Sequence, residues 1–447
     1  MEEKLLNIAD SVIEWSNHDE QVEVVAVHDQ ETEIRVYEGE IESFTASESQ
    51  GVGIRVVKDG RQGMAYAGTL DQEILKETLM EARDNATFGT YDEFIAIAEP
   101  DDVQPISLDL FNPALRRFPT DEKILLAKEL EKRILKSDKR IIGVESTDYV
   151  DSISASAIVT SSGIRRSSYE GGCYVAASSL ASDGKDTQTG FGYSVGRNPE
   201  ILDIEKAGSE ASDRATRLLG AKKAESGRQT VVLDPYVTAQ FLGIIGSTFS
   251  GEAVLKGRSL FAGREGEKIA AEILTLVDDP TDPEAFTATE VDGEGLASRR
   301  NVLIDQGSLY GFLQNSYTAR ALGSASTGSA VRNYNSSPGV GVLALSLLPG
   351  TKSQNELLES IEDGVLIQGV AGLHSGVNPV SGDFSVGAEG LKIRNGQIAE
   401  PVREITIAST LQRMLLEVKD IGNDLERLPM RSSGVSLVVD DVTVSGV

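Results

Sequence analysis

The chain has 447 residues, 40% of them hydrophobic and 25% charged, with 70 acids against 42 bases and a formal net charge of −28. That length suits two or three domains. So acidic a surface repels phosphate backbones and offers no polybasic membrane anchor, which excludes nucleic acid and the membrane surface as expected partners.

The opening, MEEKLLNIADSVIEW, sets Leu5, Ile8, Ala9, Val12 and Ile13 at helical spacing. It predicts a core-facing helix and lacks the basic leader and apolar block of a secretory signal. Short alternating runs follow (VEVVAVHD, TEIRVYEGE, IESFTASES, GVGIRVVKDGRQGMAYAG), broken at EGE and KDGR by hairpin turns. LDQEILKETLMEARDNATF then returns to helical spacing through Ile74, Leu75, Leu79 and Ala82. Residues 1–88 therefore predict an N-terminal α+β domain. Residues 89–119 are aperiodic, contain Pro100, Pro105, Pro113 and Pro119, and read as a linker.

TDEKILLAKELEKRILKSD predicts a helix with Thr120 as its N-cap. Strand-like sequence from Ile141 to Gly196 and a helix around 203–219 complete a central α+β domain over 120–222. Gly39 and Gly163, and Asp59-Gly60 and Asp183-Gly184, stand 124 residues apart. Turn residues at one offset in similar strand patterns point to a duplication of the first domain. Cys173, the only cysteine, lies in an alternating run and reads as a structural thiol. One cysteine permits no intrachain disulfide, which fits a reducing compartment and a cytoplasmic location.

A C-terminal domain is expected over 227–447. ASRRNVLIDQGSLYGFLQNSYTARALG reads as strand, turn, strand, helix, and ELLESIEDGVLIQGVAG as helix then strand. Asn395-Gly396 signals a type I′ hairpin, and SGVSLVVDDVTVSGV reads as a strand pair. The class expected for the whole is α+β: duplicated helix and antiparallel-sheet units in front, then a mostly antiparallel β-rich domain with short helices. No run approaches the length of a membrane-spanning helix, about 18 apolar residues.

Candidate chemistry is sparse. The histidines are His18, His28 and His374, with no second histidine at metal-ligand spacing. His374 sits in the loop GLHSGVNPVSGDFS with Asp383 nine residues on. That pair is the candidate for substrate binding, or for a triad without a GxSxG elbow. No phosphate loop is present, since GVGIRV falls inside a strand. Asp278, Asp279, Asp282 and Glu284 are candidate hard-cation ligands or a solvated loop. Arg258, Arg264 and Lys268, in RSLFAGREGEK, are candidate holders of an anion or peptide carboxylate, or simply a polar connection.

Longer motifs carry a resemblance. VVLDPYVTAQFLGIIGSTFSGEAVLKGRSLFAGREGEKIA, LASRRNVLIDQGSLYGFLQNSYTARALG, GVNPVSGDFSVGAEGLKIRNGQIAEPVREITIA and IGNDLE stand in the order found in the TldD/PmbA family, sometimes labelled "modulator of DNA gyrase". The resemblance spans nearly the whole chain. TldD-type members of that family look like zinc metallopeptidases with HExxxH on a helix and a cysteine ligand near the C-terminus. Two imidazoles and a thiolate hold zinc there, and the glutamate takes a proton from bound water.

In this sequence the matching window is LGIIGS, with Leu242 and Ser247 at the histidine positions and Gly243 at the glutamate position. LERLPMRSSGVSL, where the cysteine would fall, has none. The resemblance therefore implies a PmbA/TldE-type subunit with no catalytic or metal residue of its own and no cofactor in this chain. Zinc would reside in a TldD-type partner, in a heterodimer acting on small or unfolded peptides, bound by strand addition to a sheet edge. The alternative is a stand-alone homodimeric hydrolase or peptide-binding module working through His374 and Asp383.

Overall fold

The computed structural model describes residues 1–446 of an α+β chain built in two halves. The front half holds two units of the same order. The first is α1 (Glu2–Glu14), β1 (Gln21–Tyr37), β2 (Glu40–Lys58), β3 (Arg61–Ala67) and α2 (Gln72–Phe88). After a short helix α3 (Pro113–Arg117) comes the second: α4 (Thr120–Ser137), β4 (Ile141–Thr160), β5 (Arg165–Ser182), β6 (Thr187–Gly196) and α5 (Ile204–Arg217). All six strands form one antiparallel sheet in the order β3-β2-β1-β4-β5-β6, so β1 running against β4 joins the units at its centre.

Turn chemistry sets the meanders. Glu38-Gly39 and Asp59-Gly60 each have positive φ at both residues and close two-residue hairpins between Tyr37 and Glu40 and between Lys58 and Arg61. Gly163 and Gly184 turn the corresponding strands of the second unit through longer loops. The helices lie on one face of the sheet. A side chain at Gly63 of β3 would overlap the backbone of Ala82 and Ala86 on α2, and one at Gly192 of β6 would overlap Ala207 on α5. Glycine on the outer strand and alanine on the helix thus seat each helix at close range.

The back half begins with β7 (Gly227–Leu233), α6 (Pro235–Thr248), α7 (Gly251–Leu255), β8 (Leu276–Asp278), β9 (Asn301–Asp305), β10 (Ser308–Leu309) and α8 (Ser316–Leu322). It continues through β11 (Ala330–Val331), β12 (Gly339–Val340), β13 (Leu345–Leu347), α9 (Gln354–Glu359), β14 (Asp363–Ala371) and α10 (Leu373–Gly376). It ends with β15 (Asp383–Arg394), β16 (Gln397–Thr410), α11 (Leu411–Leu416), β17 (Val418–Ile421) and β18 (Leu437–Ser445). The main sheet runs β16-β15-β14-β7-β18-β17, and β16 also pairs with β18, which curls five strands into a closed ring. Only β14 and β7 are parallel in it. Asn395-Gly396 has positive φ at both residues and turns β15 into β16. The largest core lies between this sheet and α6. No helix among the described residues is long and apolar enough to cross a membrane.

Several expectations need correction. The front strands run far longer than the alternating segments implied, 17 residues in β1 and 19 in β2. Pro119 occupies the N-cap of α4; Thr120 is already helical and its side chain caps nothing. The segment 89–119 carries α3 and is pinned between the halves. Tyr317 donates to Asp92 (2.8 Å), Arg320 to the carbonyls of Phe94 and Ala96, and the Leu108 amide to Glu290 (2.7 Å). The C-terminal run is one strand, β18, with a bulge at Asp440 and Asp441, because Asp441 takes positive φ without reversing the chain.

The halves meet on buried charge. Glu23 of β1 lies directly opposite Arg55 of β2 and accepts two hydrogen bonds from it, 3.0 and 3.1 Å long. Arg332, just after β11, reaches the same carboxylate from the other half. Both Glu23 and Arg332 are buried, and Nε and Nη2 of Arg332 have no other partner. Burial pushes the Glu23 carboxyl up, but the two arginines outweigh it and hold the group at about 2. Nearby, Asp292 accepts amide protons from Glu294, Leu296 and Ala330, while Glu294 bonds the amide and hydroxyl of Ser316. Burial pushes both carboxyls above the usual range, with Glu294 repelling Asp292 and Glu23 repelling Glu294.

Arg332→Met leaves Glu23 buried with half its compensation. Urea denaturation is expected to show a loss of about 3–5 kcal/mol. The carboxyl pair sets a pH dependence. A raised folded pKa contributes stability that is complete below about pH 4 and is lost as pH climbs through the raised value. Glu23 has the opposite sign: its contribution is present above the ordinary 4.5 and disappears as pH falls towards 2. Melting temperature followed from pH 2 to 9 should therefore fall on the acid side through Glu23 and on the alkaline side through the pair. Glu294→Gln, which keeps both bonds to Ser316 without the charge, should flatten the alkaline limb and leave the acid limb in place.

Candidate functional site

The helix α6 is launched from the end of β7 by Asp234, whose side chain accepts the Val237 amide proton (2.9 Å), with Pro235 in the first helical turn. Burial pushes the Asp234 carboxyl up to about 6, against the pull of Arg214 at 2.9 Å. Along α6, Phe241, Leu242 and Ile245 enter the core. Gly243 and Ser247, one turn apart, lie on the exposed face. Residues 242 and 247 are five positions apart, about 140° around a regular helix, so they do not share a face. The Ser247 hydroxyl donates to the Ile244 carbonyl (2.7 Å).

The C-terminal segment packs directly on α6. Ser432 donates to the Ala239 carbonyl (2.8 Å), and a side-chain carbon at Gly243 would lie 3.6 Å from the Ser432 hydroxyl. The two stretches that match the family's metal motif, nearly 200 residues apart, are therefore neighbours. The side chains present there do not fit a zinc ion. Leu242 is aliphatic and points into the core, Gly243 has no side chain, and the Ser247 hydroxyl is neutral and committed to backbone.

The exposed face of α6 instead floors a groove of about 450 Å³ bordered by Ser250, Glu252, Lys256, Arg258 and Arg431. Through Val331 and Arg431 the groove meets a cleft of about 630 Å³ between the front sheet and the back half. The cleft floor carries Asp29, Ser152, Ser154, Ser156 and Glu170, with Arg332 and Tyr334 opposite. Burial raises the Glu170 carboxyl above its ordinary range, with the pull of Arg197 opposing.

His374 and Asp383 do not converge. His374 is exposed on α10, while the Asp383 carboxylate accepts a hydrogen bond from Ser381 (2.7 Å). Asp383 borders a separate depression of about 560 Å³ with Arg228, Asn378 and Arg413, which His374 does not line. Among the other sequence candidates, His28 pairs with Glu48 (2.6 Å) and His18 is exposed. The acidic cluster is dispersed. Asp278 is buried, accepts the amide protons of Leu343 and Ala344, and is pushed up to about 6 by burial; Asp282 pairs with Arg427 at 2.6 Å. Arg264 pairs with Glu267 (2.8 Å), which leaves Arg258 as the member of its run that reaches the groove. Cys173 is buried, and burial pushes its thiol up to about 12, so it is inert. Sequence reasoning passed over Arg431, Glu23, Arg332 and the Asp292–Glu294 pair. Only the absence of a nearby opposite charge beside Arg431 in LPMRSSG could have flagged it.

Comparison with known proteins agrees with this layout. Residues 22–86 match the PmbA/TldA metallopeptidase domain 1, residues 113–219 the PmbA/TldA metallopeptidase central domain, and residues 226–446 the PmbA/TldA metallopeptidase C-terminal domain. A metalloprotease of Methanothermobacter thermautotrophicus is 32% identical over 403 residues, covering 88% of this chain and 85% of the relative. Metalloprotease PmbA of Escherichia coli O157:H7 is 27% identical over 419 residues, covering 91% and 88%. A Thermotoga maritima structure that carries the gyrase-modulator label superposes with a TM-score of 0.91 at 26% identity, over 98% of this chain and 99% of that one. The fold of TldE from Thermococcus kodakarensis superposes with a TM-score of 0.90 at 24% identity, over 99% and 100%. The matched domains, the extent of the sequence relatives and the shared architecture together make this chain a member of the PmbA/TldD metallopeptidase family.

Proposed function

We propose that this chain is the PmbA/TldE-type, metal-free subunit of a cytoplasmic two-subunit metalloprotease acting on unfolded or small peptides. A TldD-type partner carries the zinc and the catalytic glutamate. This chain closes the chamber and holds extended peptide. The observation that carries the reading is the make-up of α6, where Leu242 faces the core and Gly243 and Ser247 offer no ligand set for zinc. The relatives named as metalloproteases support a proteolytic setting. The net charge of −28 argues against a direct role on DNA.

Peptide holding has a structural basis in β2. From Glu40 to Gln50 this strand pairs with β1 on one side, whereas β3 covers its other side only from Val52 to Lys58. Every residue from Glu40 to Gln50 is exposed. A long unpaired edge of this kind is a template for an added strand.

Co-expression with an HExxxH-bearing relative from the same genome, followed by metal analysis, tests the assignment. The purified chain should carry no stoichiometric zinc and cleave no peptide; the complex should carry zinc and cleave unstructured peptide. Zinc-dependent cleavage by the chain alone would overturn it.

The triple variant Leu242→His, Gly243→Glu, Ser247→His checks the geometric reason. Zinc titration calorimetry should show no gain of tight binding, because position 242 faces the core. The variant should also lose about 2–5 kcal/mol of stability, as expected for removing a buried leucine.

A further inference from the structure

We propose that the groove over Gly243 and Ser247 clamps the C-terminal carboxylate of an extended peptide between Arg258 and Arg431. The inference rests on the peptide-holding role above and assigns it an end point. In a chain with 70 acids for 42 bases, a cation without a partner is unusual. Among the described residues, Arg117, Arg258 and Arg431 are the arginines whose side chains make neither a hydrogen bond nor an ion pair. Two of these three border the same groove, from segments far apart in sequence. Lys256 and Glu252, also at its border, neutralise each other in an i,i+4 pair. The groove therefore keeps two guanidinium groups without a direct partner, although Arg431 acts at longer range on the buried Asp278.

A guanidinium is a planar fork of donors that matches a carboxylate bidentately. Gly341 stands beside Arg431, where a side-chain carbon would lie 3.9 Å from Nη1. The route into the groove favours a chain end. Arg431 and Val331 belong both to the groove and to the cleft, whose floor is the pleated front sheet with Ser152, Ser154 and Ser156. Cleft and groove together hold about 1,080 Å³, enough for several extended residues at roughly 3.3 Å each. Serine hydroxyls can satisfy main-chain amides and carbonyls whatever the side chains are. The groove thus supplies charge where the cleft supplies none in excess, and the terminal carboxylate is the one charge every peptide brings.

The test uses the full chain and a ten-residue peptide of Ala, Ser and Val, labelled at its N-terminus, followed by fluorescence anisotropy at low salt. Three forms are compared: free acid, C-terminal amide, and amide with one internal Asp. The free acid should bind about tenfold more tightly than the amide. Arg258→Gln and Arg431→Gln should each remove most of that advantage without changing the melting temperature, since both side chains are exposed. Arg117→Gln should leave it intact. Equal binding of acid and amide would overturn the clamp while leaving peptide holding in place. Binding of none of the three would overturn both. Internal-Asp amide binding as well as the free acid would overturn the assignment to the chain terminus.

Discussion

The architecture depends on a carboxylate that has no water. Glu23 sits in the middle of the front sheet and is fully buried. Alone there it would be protonated or the fold would not form. Arg55 answers it from the adjacent strand, and Arg332 answers it across 309 residues of chain from the back half. Such a group contributes little net stability compared with an apolar replacement. Its effect is on alignment: the back half docks at the one position where the Arg332 guanidinium meets Glu23. Tyr334, two residues further on, lies against Gly51 and Gly53 of β2, where any side chain on the strand would collide with it. Charge fixes the register of the halves, and glycine permits the approach.

That docking defines the space between the halves. The cleft is bounded on one side by the sheet face opposite the helices and on the other by the segment from Phe286 to Tyr334. The same segment carries Asp292 and Glu294, whose buried carboxyls sit beside the Glu23 cluster. Cleft and assembly joint are thus built from the same segment.

Much of the fold was legible because it rests on local rules. Alternation found the strands, 3.6-residue spacing found the long helices, and Asp59-Gly60 and Asn395-Gly396 found their hairpins. The failures have separate causes. In EIESFTASESQ both faces of β2 are exposed, so no apolar alternation marks it, and a 19-residue strand looked like fragments. At Asp440-Asp441 a positive φ serves a bulge, and sequence cannot tell that from a reversal. Thr120 is a good cap by residue type, yet Pro119 fixes the extended conformation one residue earlier. The site was legible only through resemblance. Nothing in LGIIGS reveals that it lies against the RSSG segment, and the partners of Glu23 and Arg332 are tertiary facts with no local signature.

The geometry of α6 argues that more than three side chains separate it from a metal-binding helix. Positions 242 and 247 lie on different faces of a regular helix, so a metal site using both needs the helix bent or widened. Here α6 is a continuous 14-residue helix, and Leu242 contributes to the same core as Phe241 and Ile245. Gly246 packs so closely on Val342 and Leu345 that a side-chain carbon there would stand 2.8–2.9 Å from them. The helix is thus locked by packing on its inner face. Its outer face is left bare by Gly243, and that bareness makes the groove. The glycine that offers no ligand therefore also leaves a surface, and the arginines at its rim give that surface a sign opposite to the rest of the chain.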